Sequence, residues 1–554
     1  MNLVELDALS STDSVSKPYA SSTDTGEITY RPVYRDHVDD AEDLARLGYK
    51  QSFHRGLSLY GVFSVSFSVL GLLPSVAASL NFTMLSGTPG MLWGSLIAFV
   101  FILCIAASMA ELCSSMPTSG GLYYSAKVLA PKGWGPLAAW ITGWSNYIAQ
   151  LTFFASCVYS LSSTTIYAAS EYDGTDYQIK QHHIFFLSFF FIIVLAILAS
   201  LPTRIIGRLH SVFTCVNALC IIASIVIVLV SASLRHGFNK SSTVWSHFEN
   251  GTQWPQGFAM LLSFCGVIWS MTGLDTSYHL VEECYSASVN APNGIMLTAI
   301  IGGLVGWILR AVIAYTVVDF LAAVHAQSIW VGYLSQVLNR KAAMATIALT
   351  VLSNFIMAQG VLVTSSRIAY SYARDGVLPF SKWIARVNGR TTTPVNATIV
   401  NCSAAIIIFL FFFVGHCAID AVFAVSAIAA FIAFIIPIGL RAFFVKDSEF
   451  CRGNWNLGRY SRYIGAAGTI FVLIMTPILC FPNDRHPTFL KMNWASVGYC
   501  IPMGLILLWY ALSARHWFKG PKADMPGLEI PRMTSLKSAD LQHQFSSNFN
   551  MKDY

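Results

Sequence analysis

Charged side chains are scarce in this chain, and a few fall inside stretches that are otherwise apolar. Asp275, His279 and Glu282 follow one another at intervals of four and three residues, the spacing that lines up one face of a helix. Two carboxylates flanking an imidazole make a path along which a proton can pass, because the imidazole titrates near neutrality. The competing reading is structural, with Asp275 capping a half-helix while His279, Glu282 and the adjacent Glu283 solvate its end. Arg310 stands in the middle of a long apolar run. A charge there is costly and marks either an ion pair, with Glu111, Asp319 or another carboxylate, or a contact to a substrate carboxylate or a gate. Glu111 ends the second apolar run, just before Pro117-Thr118-Ser119-Gly120-Gly121, and is a further candidate for a gate. The 12 cysteines are dispersed with no CxxC pair, so they read as small packing residues. Neither a metal site nor a cofactor is expected.

Two interruptions of apolar runs stand out beside these charges. Around Gly71-Leu72-Leu73-Pro74-Ser75, the glycine loosens the helix and the proline cannot donate a backbone hydrogen bond, which suits the first turn of a new half-helix. Around Trp269-Ser270-Met271-Thr272-Gly273-Leu274-Asp275, Gly273 can break the helix and Thr272 can cap its continuation. The positive N-terminal end of the half-helix after Pro74 suits a carboxylate. The carbonyl-rich end near Trp269 and Ser270 suits an ammonium. Tyr147 and Trp269 offer ring faces to such a cation. Asn146, Gln150, Asn354 and Gln359 offer amides, although amides of this kind also serve to bind helices together.

The elements that must position these groups follow from composition. Of 554 residues, 55% are hydrophobic and only 11% are charged, with a mean hydropathy of +0.57. Soluble domains carry about 25% charged residues, so a soluble fold is excluded, as is a nucleic-acid partner, because the net charge of +6 is thinly spread. Apolar stretches of bilayer-spanning length recur at 57–80, 90–110, 135–167, 183–201, 211–232, 257–280, 296–320, 342–366, 395–415, 418–440, 463–481 and 494–513. The expected fold is an all-α membrane protein of twelve spans. The breaks lie five spans apart, in corresponding positions of two halves, 57–232 and 257–440, that enter the membrane from opposite sides. Paired interruptions of this kind point to a transport site at the bilayer midplane. Residues 463–513 form two further spans. Residues 1–56 and 514–554 read as cytoplasmic tails, the first disordered.

Lys and Arg placement sets the direction. With both termini inside, the cytoplasmic loops hold Arg204 and Arg208, then Arg367, Arg374, Lys382, Arg386 and Arg390, then Arg441 to Arg462. The sequons at Asn81, Asn239 and Asn250 fall on the opposite side.

Five segments carry a family resemblance: FSVLGLLPS at 67–75, ELCSSMPTSGGLYY at 111–124, WGPLAAWITGW at 134–144, TGLDTSYHLVEE at 272–283, and 366–397 with SRIAYSYARDGVLPFSKW and TTTPVNA. They resemble the amino acid–polyamine–organocation superfamily and, within it, the fungal amino acid/choline permeases that include the GABA permeases. The resemblance implies the LeuT-type fold, with helices 1–5 and 6–10 as inverted repeats and helices 11 and 12 peripheral. It also implies secondary active uptake of a small amine, usually proton-coupled, by a protein that is not an enzyme. Some relatives place a lysine in helix 5 where sodium-coupled cousins hold sodium. Span five here has none, so Ser365 and Ser366, with Thr364, become candidates for a sodium-like site. A GABA-like zwitterion is the first expectation for the substrate, with choline, a polyamine or thiamine as the alternative. A nutrient receptor or a membrane-embedded transferase are the other classes, though no P-loop or HExxH motif supports an enzyme. The plasma membrane is the expected location, with the vacuole or endoplasmic reticulum as alternatives.

Overall fold

The computed structural model describes residues 40, 44–45, 47–49, 51–53, 55–173, 180–482 apart from 325 and 327, 485–488 and 492–521. Among these the fold is helical, with one isolated backbone bridge between Leu57 and Cys284 and no strand. The principal helices are α1 (Leu59–Leu70), α2 (Leu72–Thr83), α3 (Gly87–Ser115), α4 (Gly121–Leu129), α5 (Gly135–Asp173), α6 (Gln181–Ala199), α7 (Thr203–Arg235), α8 (Gln256–Ser270) and α9 (Thr276–His279). They continue with α10 (Ala287–Thr316), α11 (Ile329–Val337), α12 (Arg340–Arg374), α13 (Val395–Phe411), α14 (His416–Gly439), α15 (Ser461–Leu479) and α16 (Ala495–Trp509). A helix covers each apolar stretch of the sequence. By length and composition, 8 segments of the described residues are fit to cross a membrane, and α8 and α13 are shorter apolar helices.

Local chemistry sets several helix ends. Ser58 caps α1 by accepting from Gly61 N, and Asn339 caps α12 by accepting from Ala342 N at 2.8 Å. The core is built by α1, α2, α8 and α9 together with α3, α5, α10, α12 and α14, which pack on one another pairwise. At the perimeter, α6 and α7 turn Phe186, Ile197, Val212, Leu219 and Leu234 outward, largely exposed. Apolar rows of this length on the outside of a helical bundle fit lipid and not water.

Two expectations are corrected here. The segment before Leu57 is not all tail, because Leu44, Tyr49 and Phe53 are buried and Gly56 and Leu57 donate their N–H groups to Glu283 O at 2.9 Å. Arg367 and Arg374 are not loop cations. They lie in the last turns of α12, an element that runs well past the apolar stretch, because both guanidiniums find buried carboxylates.

Candidate functional site

Both expected helix breaks are present. Gly71 joins α1 to α2 in the left-handed conformation, at φ 45° and ψ 60°. The second half begins at Leu72 and places Leu73 and Pro74 in its first turn, where the missing proline N–H costs nothing. Ser75 donates its hydroxyl to Leu70 O at 2.5 Å and so satisfies a carbonyl that the break leaves without its helical partner. The second break is longer. α8 ends at Ser270, residues 271–275 turn, with Gly273 at φ 96°, and α9 runs only from Thr276 to His279 before a 3-10 turn at Val281–Glu283. Thr272 does not cap this piece; its hydroxyl bonds back to Ile268 O. Asp275 takes the position before α9 without a side-chain cap bond, because its carboxylate turns to His279 instead.

The breaks meet in space. A side chain on Gly273 would begin 2.6 Å from Val69 Cγ1, and one on Gly71 would begin 2.5 Å from Met357 of α12. The site is therefore a junction of α1/α2, α8/α9 and α12, held together by two glycines with no room to be anything else.

The charged row of α9 divides into two functions. Asp275 Oδ2 lies 3.1 Å from His279 Nε2, and both side chains are fully buried. The same Nε2 lies 3.0 Å from Asn146 Nδ2 of α5, and His279 Nδ1 lies 3.2 Å from Ser119 O. A carbonyl can only accept, so Nδ1 carries the proton of the neutral ring. Nε2 is then either an acceptor from Asn146 or, as imidazolium, a donor to Asp275. One proton thus decides between two hydrogen-bond patterns. Asp275 Oδ1 and Asn146 Oδ1 are buried with no hydrogen-bond partner among the described residues, as is the hydroxyl of Tyr123, while the Tyr372 hydroxyl faces Asn146 and Asp275. The rings of Tyr123 and Tyr372 pack edge-on with centroids 4.7 Å apart.

Glu282 leaves this group. It takes Arg374 Nη1 at 3.2 Å and the Ser119 N–H and hydroxyl at 3.0 and 2.6 Å. Burial raises the Glu282 carboxyl, but Arg374 and Ser119 outweigh it and hold the group below its usual range. Glu283 pairs with Arg367 Nε at 2.9 Å. Tyr49, from the N-terminal segment, lies under the Arg374 guanidinium at 4.0 Å and donates to Asp375 at 3.1 Å. Its phenol is pushed well up by burial, with the Asp375 carboxylate adding to the effect. These buried contacts join the N-terminal segment, the turn after α9 and the last turns of α12. Arg374 and Ser119 were not legible as site residues: the sequence offers Arg374 only as a topological charge and Ser119 only as part of a small-residue segment.

Several expected site residues sit elsewhere. Glu111 accepts from Leu457 N at 3.1 Å and from the Ser461 hydroxyl, so it ties the start of α15 and the segment before it to the end of α3 and forms no ion pair with Arg310. Arg310 forms no ion pair among the described residues; its Nη2 donates to Ser270 Oγ at 3.0 Å and Ser79 Oγ at 3.3 Å. Trp269 is stacked on Phe423 with centroids 5.4 Å apart and meets Phe153 edge-on, which leaves little ring face for a cation. Tyr147 donates to Asn401 Oδ1 at 3.0 Å, and Asn354 binds Ser160 Oγ at 3.0 Å, so both tie helices together. The Ser365 hydroxyl bonds Leu362 O within its own helix. Ser366 does likewise with Val363 O and also accepts from Arg367 at 3.1 Å, so a guanidinium already holds the oxygen that a sodium ion would need. Among the described residues no group of His, Cys, Asp and Glu is placed to hold a metal.

Comparison with known proteins places this geometry. The family model described as amino acid permease matches residues 57–506. An uncharacterized amino-acid permease of Schizosaccharomyces pombe is 54% identical over 496 residues, covering 89% of each chain. A putative polyamine transporter of Candida albicans is 38% identical, over 89% of this chain and 91% of its own. A GABA-specific permease of Saccharomyces cerevisiae is 27% identical, over 91% of this chain and 89% of its own. A permease is not an enzyme, and its apolar helices make it a multi-pass membrane protein. The chain belongs to the amino acid permease family of the amino acid–polyamine–organocation superfamily.

Proposed function

We propose that the chain imports a small amine-bearing solute, an amino acid or a polyamine, by proton-coupled alternating access. On this reading it crosses the membrane twelve times, with 57–232 and 257–440 as inverted five-helix repeats, 463–513 as two peripheral helices and both termini in the cytoplasm of a plasma-membrane protein. The observation that carries it is the Asp275 carboxylate, buried in the second break with one oxygen unpartnered and the other on His279. A buried carboxylate with a free oxygen is a receptor for an ammonium, and its imidazole partner is a store for the coupling proton. The N-terminal end of α2 suits the carboxylate of an amino acid such as GABA.

A polyamine is the second reading. It is favoured by the unmatched acceptors around Asp275 and by the relative named as a putative polyamine transporter, which is closer in identity than the GABA-specific one. The test is uptake of labelled GABA, spermidine, choline and thiamine into proteoliposomes under an imposed proton gradient. Accumulation of one of them that collapses with a protonophore supports the proposal. Binding without accumulation would instead make the chain a receptor, and accumulation that follows a sodium gradient would overturn the proton coupling.

A further inference from the structure

Arg310 is 2% exposed and sits in α10 against Ser270, at the end of α8, and Ser79, within α2. Its neighbours do not neutralise it. The Ser270 and Ser79 hydroxyls donate to Val267 O and Val76 O, so each turns only an oxygen lone pair to the guanidinium. Hydroxyl oxygens solvate a cation but carry no counter-charge. None of the described carboxylates of the core pairs with it: Asp275 lies on His279 through one oxygen, Glu282 on Arg374, Glu283 on Arg367, and Glu111 on Leu457 and Ser461. Arg310 Nε is buried with no hydrogen-bond partner among the described residues. One turn earlier, a side chain on Gly306 would meet Arg310 Nη1 at 3.2 Å and nothing else within 4 Å, so open space lies beside the guanidinium. An always-charged group, desolvated, undercoordinated and facing open space, needs an anion.

We propose that Arg310, with Ser79 and Ser270, binds a monovalent anion: a carboxylate of the transported solute or a free halide. Ser270 is the last residue of α8 and Ser79 lies on α2, so the anion would bridge the two broken helices through one cation. A halide goes beyond the transport reading and does not need it; a solute carboxylate rests on that reading and would take the role given above to the N-terminal end of α2, and in both cases binding is measurable without transport.

The first measurement is the melting temperature of the purified full-length protein in sodium methanesulfonate, neither halide nor carboxylate, against sodium chloride, and with added GABA or spermidine. A halide site predicts a chloride-dependent rise that saturates in the wild type and is lost in Arg310→Met. A solute-carboxylate site predicts no chloride effect and a rise with GABA that Arg310→Met abolishes, together with about a tenfold increase in the KM ratio of GABA to spermidine, a difference of roughly 1.4 kcal/mol. If Arg310→Met fails to fold, Arg310→Lys serves, because a point charge without the planar fork should weaken the anion response while keeping the charge. A wild-type melting temperature indifferent to halide and carboxylate alike overturns the anion site. Absence of transport by the wild type, with the anion response intact, would overturn the transport reading alone.

Discussion

Replacing Gly273 by alanine separates a conformational cost from a steric one. At φ 96° an L-residue is strained whatever space surrounds it, by about 1–2 kcal/mol at least. The new Cβ would also stand 2.6 Å from Val69 Cγ1, and forcing extra carbon into a packed core typically costs a further ~1–3 kcal/mol. Gly237 is the internal control: it has a positive φ of 75° and nothing within 4 Å of its would-be Cβ. Gly237→Ala should therefore show the conformational part alone, and Gly273→Ala should cost about 1–3 kcal/mol more. The excess is traceable to one methyl. Val69→Ala destabilises by itself, since Val69 is buried, but combined with Gly273→Ala it should recover most of the excess, a coupling of the order expected between touching residues. Chemical denaturation of the four proteins gives the cycle, and uptake into liposomes gives the functional counterpart, lost in Gly273→Ala and kept in Gly237→Ala. Equal costs for the two glycines, or strict additivity with Val69→Ala, would refute the close approach of the two breaks.

The remaining expectations concern the buried charges. Arg367→Met should cost about 3–5 kcal/mol by stranding Glu283, whereas Arg367→Met with Glu283→Leu should restore much of that loss, because the desolvation cost vanishes with both charges; denaturation midpoints decide. Glu282 has a depressed pKa in the folded protein, so its stabilisation is complete above the ordinary carboxylate range, near 4.3, and is lost as pH falls through the lower folded value. In Arg374→Met, burial would dominate and raise that pKa, so mild acid should stabilise this variant where it does not help the wild type; melting curves between about pH 3 and 7 read the sign. Asp275→Asn should reduce amine uptake at least tenfold and flatten its pH profile. An unaltered profile would count against a proton held between Asp275 and His279.

What the sequence could say depended on how local the cause was. Gly71, Pro74 and Gly273 announce themselves because they remove backbone options wherever they stand, and both breaks fall where those residues are. The extent of the second break was not legible, since Asp275 turns its carboxylate to His279 and the same imidazole nitrogen meets Asn146 of α5. Asn146 lies on a distant helix, and only folding brings it to the pair. The same holds for Arg374 and Glu282, 92 residues apart in sequence and 3.2 Å apart in space. Composition assigned Arg374 to a loop because a lone arginine at the end of an apolar run usually sets topology. The ion-pair reading of Arg310 failed for the converse reason: a buried cation was matched to the nearest free carboxylates by sequence, yet Glu111 and Asp319 were already engaged by backbone N–H groups.

Asp40 carries a consequence for where the folded unit starts. Its two carboxylate oxygens accept from the N–H groups of Ser286 and Ala287, at 2.7 and 2.9 Å, and so cap α10 from 246 residues away. Arg55 clasps the same carboxylate at 3.7 Å and donates to Cys284 O. Loss of a cap of this kind costs about 1 kcal/mol. It would also free the Arg55 side chain that fastens the short turn after α9. A shortened form beginning at the first apolar residue would keep every span and still lose a helix cap. Any trimming, tagging or proteolysis should therefore stop before Asp40.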